Sequence, residues 1–246
     1  MSNKPFVFKK FNINQDQCAM KVGTDGVLLG AWSPIDHNPF SILDIGSGTG
    51  IIALMLAQRS SAQLIDALEI DERAYEQCVD NFEQSPWNDR LFCYHASLEE
   101  FVDDPSADEA GIEDQYDLIV SNPPFYSEDF KTNNAQRDVA RFQNALPFNH
   151  LIAGVSKLLS ESGVFSTIIP SKEEEQFIAL AENYNLFPFQ ILHVKGNPTS
   201  DIKRSLISFS FDESVPIKKE FLIIETERHQ YTQDYINLTK AFYLKM

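Results

Sequence analysis

Two short stretches of this chain carry residue types whose spacing suits chemistry on a bound ligand. The first is Asp44-Ile45-Gly46-Ser47-Gly48-Thr49-Gly50. The apolar run Ser41–Ile45 leads into it, and Ile51, Ile52, Leu54, Met55 and Leu56 leave it at helical spacing, so the glycines stand at a strand-to-helix turn. There glycine permits positive φ and lets a ligand approach the backbone closely. A dinucleotide fingerprint, G-x-G-x-x-G, counted from Gly46 and Gly48 would need its third glycine at Ile51. Glycine comes one residue early, at Gly50, and Asp44 stands two residues before Gly46. Glu69, at the end of the next apolar run Leu64–Leu68, is placed to accept hydrogen bonds from both hydroxyls of a ribose. The second stretch is Asn122-Pro123-Pro124-Phe125, after the apolar run Tyr116–Val120. A turn needs one proline at most, and two end a strand abruptly.

The elements that must position these residues follow the rhythm of an α/β protein. Strands are expected at 41–45, 64–68, 91–94, 116–120 and 163–169, with helices after the glycine loop, after Asp71 up to Ser85-Pro86, and over 151–159 and 172–184. In a doubly wound sheet the strand at 116–120 lies beside the one at 41–45, which brings the Asn-Pro-Pro-Phe turn and the glycine loop to the same crevice. Three further strand-like runs, 189–194, 206–211 and 221–224, have no helix-length segment between them and predict antiparallel hairpins at the C-terminal end of the sheet. A terminal helix is expected from Thr232, with Tyr235, Phe242 and Tyr243 read as core and Tyr231 grouped with them.

With 36 acidic against 20 basic residues in 246, the formal charge is -16, which excludes a uniformly basic nucleic-acid clamp. A polyanionic partner must be met locally. Two basic islands exist: Lys4, Lys9, Lys10 and Lys21 face only Asp16, and Lys131, Arg137, Arg141 and Lys157 face only Asp138. The acidic stretch from Glu99 to Asp117 reads as a solvated surface. No signal peptide, membrane span or metal-ligand spacing is visible, and Cys18, Cys78 and Cys93 read as three buried thiols in a reducing, cytoplasmic compartment.

The loop G-x-G-x-G preceded by an acid resembles motif I of the Rossmann-like methyltransferases, which bind S-adenosylmethionine (SAM) there. The Glu69 contact would serve NAD and SAM alike. Asn122-Pro123-Pro124-Phe125 is similar to the (Asp/Asn/Ser)-Pro-Pro-(Tyr/Phe/Trp) signature of enzymes that methylate exocyclic amino or amide nitrogens. The chemistry explains its parts. An adenine N6 lone pair is delocalised into the ring, so its N–H groups need acceptors that draw the nitrogen toward tetrahedral geometry. The Asn122 side-chain oxygen and the Pro123 carbonyl would supply two, rigidly held by Pro123 and Pro124. Phe125 offers a face on which an unpaired base can stack.

Beyond these motifs, Lys9-Lys10-Phe11, the segment from Gln17 to Trp32, Leu43–Gly46, Ala53–Arg59, Gln84–Trp87, Tyr116–Pro124 and Leu238–Leu244 resemble the bacterial tRNA adenine N6-methyltransferases that modify adenine 37 of a valine tRNA. That resemblance implies one SAM-dependent domain over 1–246. Residues 1–32 would form a segment closing on substrate and cofactor, and residues 33–246 a catalytic core with a mostly parallel, seven-stranded Rossmann-like sheet. It implies Asp44, Gly46, Gly48, Gly50, Glu69 and Asn122 as cofactor contacts, with Lys21, Thr24 and Asp25 closing over the methionine end. Where the family carries an aspartate for the adenine amino group of SAM, this chain has Ser97, a weaker, neutral acceptor. The tRNA would meet Lys9, Lys10, Phe125, Arg137 and Arg141, and no metal or obligate protein partner is implied. The rival readings are a protein N5-glutamine methyltransferase, which also suits an Asn-Pro-Pro-aromatic turn and a -16 charge, and a SAM- or RNA-binding module without catalysis.

Overall fold

The computed structural model describes residues 4–103, 115–124 and 146–245. An eight-stranded sheet organises them. Its strands are β3 (Ser41–Ile45), β4 (Leu64–Glu69), β5 (Leu91–His95), β6 (Tyr116–Ser121), β7 (Leu159–Pro170), β8 (Phe187–Lys195), β9 (Ile202–Ser210) and β10 (Lys218–Ile223), in the spatial order β10-β8-β9-β7-β6-β3-β4-β5. A short antiparallel pair, β1 (Phe6–Val7) with β2 (Asn12–Ile13), precedes the sheet, and another, β11 (Glu225–Glu227) with β12 (Gln230–Tyr231), follows it. Helices α1 (Thr24–Trp32), α2 (Ile51–Arg59), α3 (Glu72–Glu83), α4 (Leu98–Val102), α5 (Phe148–Leu158), α6 (Glu174–Glu182) and α7 (Gln233–Thr239), with a 3-10 turn at Ser171–Glu173 leading into α6, complete the described elements.

The order runs outward from β3 in both directions, β4 and β5 one way, β6 and β7 the other. The chain is doubly wound, as expected, with the switch point between β3 and β6. Strands β3 and β6 pair in parallel with Ile45 opposite Ser121, so the residues that follow them, Gly46 and Asn122, emerge side by side at the carboxyl edge. These central strands are buried almost throughout, and each reads as an apolar run broken by one aspartate, Asp44 in β3 and Asp117 in β6. One face carries α1, α2, the N-terminal Phe8 and Phe11 and the C-terminal Tyr235 and Phe242; the other carries α5 and α6 over Leu43, Ile45 and Ile119.

The mostly parallel sheet with an antiparallel C-terminal hairpin, β8 with β9, is as expected, and two details differ: the sheet has eight strands rather than seven, and the last of the three runs, β10, does not continue the hairpins. Strand β9 is antiparallel to both β7 and β8, but β10 passes the end of β8 and adds to its far side in parallel, where it forms an edge with Phe221 63% exposed. The N-terminal 32 residues also hold a helix that no periodicity announced. Helix α1 is apolar on nearly every side, Gly26 through Ala31 all buried, and an all-round apolar helix has no amphipathic stripe to read. Of the cysteines, Cys18 and Cys78 are buried and Cys93 is half-buried. Tyr231 is 40% exposed, unlike Tyr235 at 3% and Phe242 at 1%. Among the described residues no helix is long and apolar enough to cross a membrane, and no group of His, Cys, Asp and Glu is arranged to hold a metal ion.

Candidate active site

The glycine loop leaves β3 and enters α2 through three positive φ angles, 73° at Gly46, 55° at Gly48 and 76° at Gly50, a conformation side chains with a Cβ resist. The glycines do different work. A Cβ on Gly46 or Gly48 would meet nothing within 4 Å, so these two open toward the cleft. A Cβ on Gly50 would stand 2.5 Å from the Phe82 ring and 2.8 Å from the Cys78 sulfur, so this glycine, at the N-cap of α2, serves the packing of loop against α3. The Gly46 and Ser47 N–H groups donate to the Leu68 carbonyl at 2.9 and 3.0 Å, which ties the loop to the end of β4.

Glu69 stands where β4 ends, as its position in the sequence implied. Its Oε2 accepts from the Gly48 N–H at 2.8 Å and its Oε1 from the Asp71 N–H at 2.9 Å. Burial raises its pKa, opposed by the bonds from Asp71, Gly48 and Ile70. Each carboxylate oxygen keeps a lone pair for a ligand hydroxyl. Asp44 is wholly buried: Oδ2 accepts from the Ala53 N–H at 3.1 Å, and Oδ1 has no partner among the described residues. Burial pushes its carboxyl up to about 7, with the Ala53 bond pulling downward and the charge of Glu69 adding to the rise.

Beside the loop, the turn after β6 is held from below. Ser121 donates to the Ile45 carbonyl at 2.9 Å, and Thr167 of β7 donates to the Ser121 carbonyl at 2.9 Å. Both side chains are buried, so the strand ends of β3, β6 and β7 are stitched together under Asn122, which is itself half-buried above them. Pro123 is buried and Pro124 half-buried; Phe125, Arg137 and Arg141 lie outside the described residues.

The remaining expected contacts divide. Lys21 and Thr24 are exposed, whereas the Asp25 carboxylate is engaged by Arg204 of β9 at 2.8 Å, an anchor across 179 positions of sequence. Ser97 caps α4: its hydroxyl accepts from the Glu100 N–H at 3.1 Å while the Glu100 carboxylate accepts from the Ser97 N–H at 2.9 Å, a reciprocal box. Lys9 turns its ammonium to the Lys240 carbonyl at 2.6 Å, and Lys10 is exposed. The N-terminal segment comes close to Glu69: burial first, then the charges of Glu69, Asp71 and Asp16, push the Cys18 thiol up to about 12. Sequence reading missed Ser121, Thr167, Arg204 and the α3 amides Gln77 and Asn81. For the amides a signal existed, since Gln77, Asn81 and Gln84 recur at i, i+4 and i+7.

The arrangement fits SAM rather than a dinucleotide. The dinucleotide spacing would put its third glycine at Ile51, and at Gly46 and Gly48 an added Cβ would meet nothing within 4 Å, which leaves open space beside the Glu69 carboxylate. Comparison with known proteins agrees. Residues 32–173 match the family model of the methyltransferase small domain. A tRNA1(Val) (adenine(37)-N6)-methyltransferase of Flavobacterium johnsoniae is 62% identical over 98% of this chain and all of the relative. Enzymes of the same name from Flavobacterium psychrophilum and Bacteroides fragilis are 63% and 44% identical, again over their full lengths. Among solved structures, a predicted O-methyltransferase of Agrobacterium tumefaciens shares the fold with a TM-score of 0.67 at 19% identity, over 89% of this chain and 96% of that one. A glycine loop and an Asn-Pro-Pro turn set side by side at the switch point of a doubly wound sheet, in a chain matched end to end by these relatives, place the protein in the methyltransferase small domain family and, within it, among the tRNA1(Val) (adenine(37)-N6)-methyltransferases.

Proposed function

We propose that this protein transfers the methyl group of SAM to the exocyclic N6 of an adenine in tRNA, adenine 37 of a valine tRNA. The observation that carries the reading is the pairing of Ile45 with Ser121, which sets the glycine loop and Asn122 next to one another; the full-length similarity to tRNA1(Val) enzymes supports the substrate. When bound, SAM supplies a methyl group on a positively charged sulfur. Gly46, Gly48 and Glu69 hold the cofactor, with Asp44 and Gly50 shaping the loop beneath it and Lys21, Thr24 and Ser97 at its rim. The Asn122 oxygen and the Pro123 carbonyl accept from the two N–H groups of the adenine amino nitrogen and turn its lone pair toward the donor. The nitrogen's lone pair would form the new N–C bond as the methyl's bond to sulfur breaks with its electron pair left on sulfur, and one of the nitrogen's protons would then pass to solvent water. The rigidity of the two prolines leaves the acceptors already in place for the transition state, where the nitrogen's growing positive charge strengthens both bonds. Phe125 stacks the base, and Lys10, Arg137 and Arg141 meet phosphates. All 246 residues work as one domain, in the cytoplasm where tRNA is modified.

The test is to offer SAM labelled in its methyl group to total RNA, DNA and protein separately and to digest the labelled pool. Label in N6-methyladenosine from the tRNA fraction is expected. Label in glutamine of the protein pool would establish the N5-glutamine alternative, and no label in any pool would leave a binding module.

A further inference from the structure

Helix α3 turns a polar stripe toward the N-terminal segment. The Asn81 amide oxygen accepts from the Asn14 N–H at 2.8 Å, and its nitrogen donates both to the Asn14 carbonyl and to the Thr49 carbonyl of the glycine loop, each at 2.9 Å. One turn earlier, Gln77 accepts from the Gln17 N–H at 2.8 Å and donates to Asp16 at 3.2 Å. Both amides are buried, 1% and 3% exposed. Further along the segment, Gln15 accepts from the Val22 N–H at 2.9 Å, and the Asp25–Arg204 pair fastens the start of α1. Residues 14–25 are therefore held at both ends, and Cys18 between them lies in the field of Glu69.

We propose that Asn81 is a positioning residue for the cofactor site: one amide holds residues 14–22 as a strap beside the glycine loop and at the same time sets the direction of the Thr49–Gly50 peptide. All three hydrogen-bonding groups of that amide are used, so strap and loop cannot move independently without breaking a buried bond. The two are linked equilibria. A ligand that requires the loop geometry stabilises the strap, and by reciprocity a loosened strap weakens the ligand. This deepens the reading of the site given above and rests on SAM being its cofactor.

The experiment uses the full-length protein, its Asn81→Ala variant and its Gln77→Ala variant. It measures SAM affinity by calorimetry, KM and kcat for SAM, thermal unfolding, and amide exchange of residues 12–22 with and without SAM. For Asn81→Ala we expect faster exchange of the strap without ligand and a dissociation constant for SAM raised about tenfold, with the loss in kcat/KM carried by KM. Gln77→Ala touches the strap but not the loop, and should speed strap exchange with a rise in dissociation constant of only about two- to threefold. A folded Asn81→Ala protein that melts earlier but binds SAM as the parent does would reduce Asn81 to a structural residue and overturn the proposal. Should Asn81→Ala fail to fold, strap exchange in the parent that bound SAM leaves unchanged would overturn it equally. A parent protein that binds no SAM would sink the cofactor reading, a result separate from the strap exchange measured without ligand.

Discussion

A residue at this site answers to two demands at once. Glu69 is both the candidate ribose acceptor and the group that the Gly48 and Asp71 N–H groups bond. Glu69→Ala should still fold, yet raise the SAM dissociation constant about tenfold or more, since each charge-assisted bond is worth about 1.5–3 kcal/mol; calorimetry with SAM, and with NADH as control, checks this. Asn122 is expected to act chiefly on the chemical step. Asn122→Ala should lower kcat by about 10² to 10³ and leave SAM affinity nearly intact, as single-turnover rates with bound SAM would show. Buried acids predict a pH dependence as well. Burial holds Asp44 at about 7 and Asp66 at about 6, against an ordinary 3.8, the bond from Tyr116 to Asp66 only partly opposing it. The folded state therefore keeps protons that the unfolded state has released. Stability should fall as pH rises from about 4 to about 7 and level off above. Asp66→Asn still accepts from Tyr116 and no longer titrates, so its denaturation midpoint should decline less between about pH 4 and 6 than the parent's.

At the scale of elements, the loop between β3 and α2 is defined by what surrounds it. Gly48→Ala meets open space and bears only left-handed strain, about 1–2 kcal/mol, so it should fold and lose cofactor affinity. Gly50→Ala adds to a comparable strain a methyl group driven into Phe82 and Cys78, an overpacking worth about 1–3 kcal/mol. Urea titration should find Gly50→Ala the less stable of the two. The loop's glycines were plain in the sequence, because spacing alone separates the two cofactor classes. The division of labour among them was not, because it depends on Phe82, which α3 brings from 32 residues away. Helix α1 is not legible in the sequence, because a helix buried on nearly every side shows no periodicity. Strand β10 is legible as a strand but not in its pairing, since direction and neighbour depend on where the chain crosses and not on composition.

The whole molecule is an anion that we propose binds an anion. With a charge of -16, only a local positive rim can meet RNA; the Lys9 ammonium keeps its charge and two further N–H donors there, while its bond to the Lys240 carbonyl fixes its position. Few phosphates are then neutralised, so log K should fall with log[salt] with a slope of roughly -2 to -4. Replacing Arg137 and Arg141 by alanine should reduce the slope by about one to two units without altering SAM affinity; filter binding over a salt series measures both arms. Insensitivity to salt and to these substitutions would turn the reading toward a protein amide substrate.

What the sequence determined by itself was whatever is written locally. Glycine spacing excluded the dinucleotide fingerprint, the double proline marked the turn after the strand at 116–120, and apolar runs set the strands of the central sheet, because each follows from the stereochemistry of neighbouring residues. The tertiary structure decided which residues share a bond across long separations: Asn81 with Asn14 and Thr49, Asp25 with Arg204, Thr167 with Ser121. Those pairings arise from the order in which the strands pack. A hydrogen bond is formed between positions that the sheet brings to about 3 Å, and no local pattern in the chain encodes that distance.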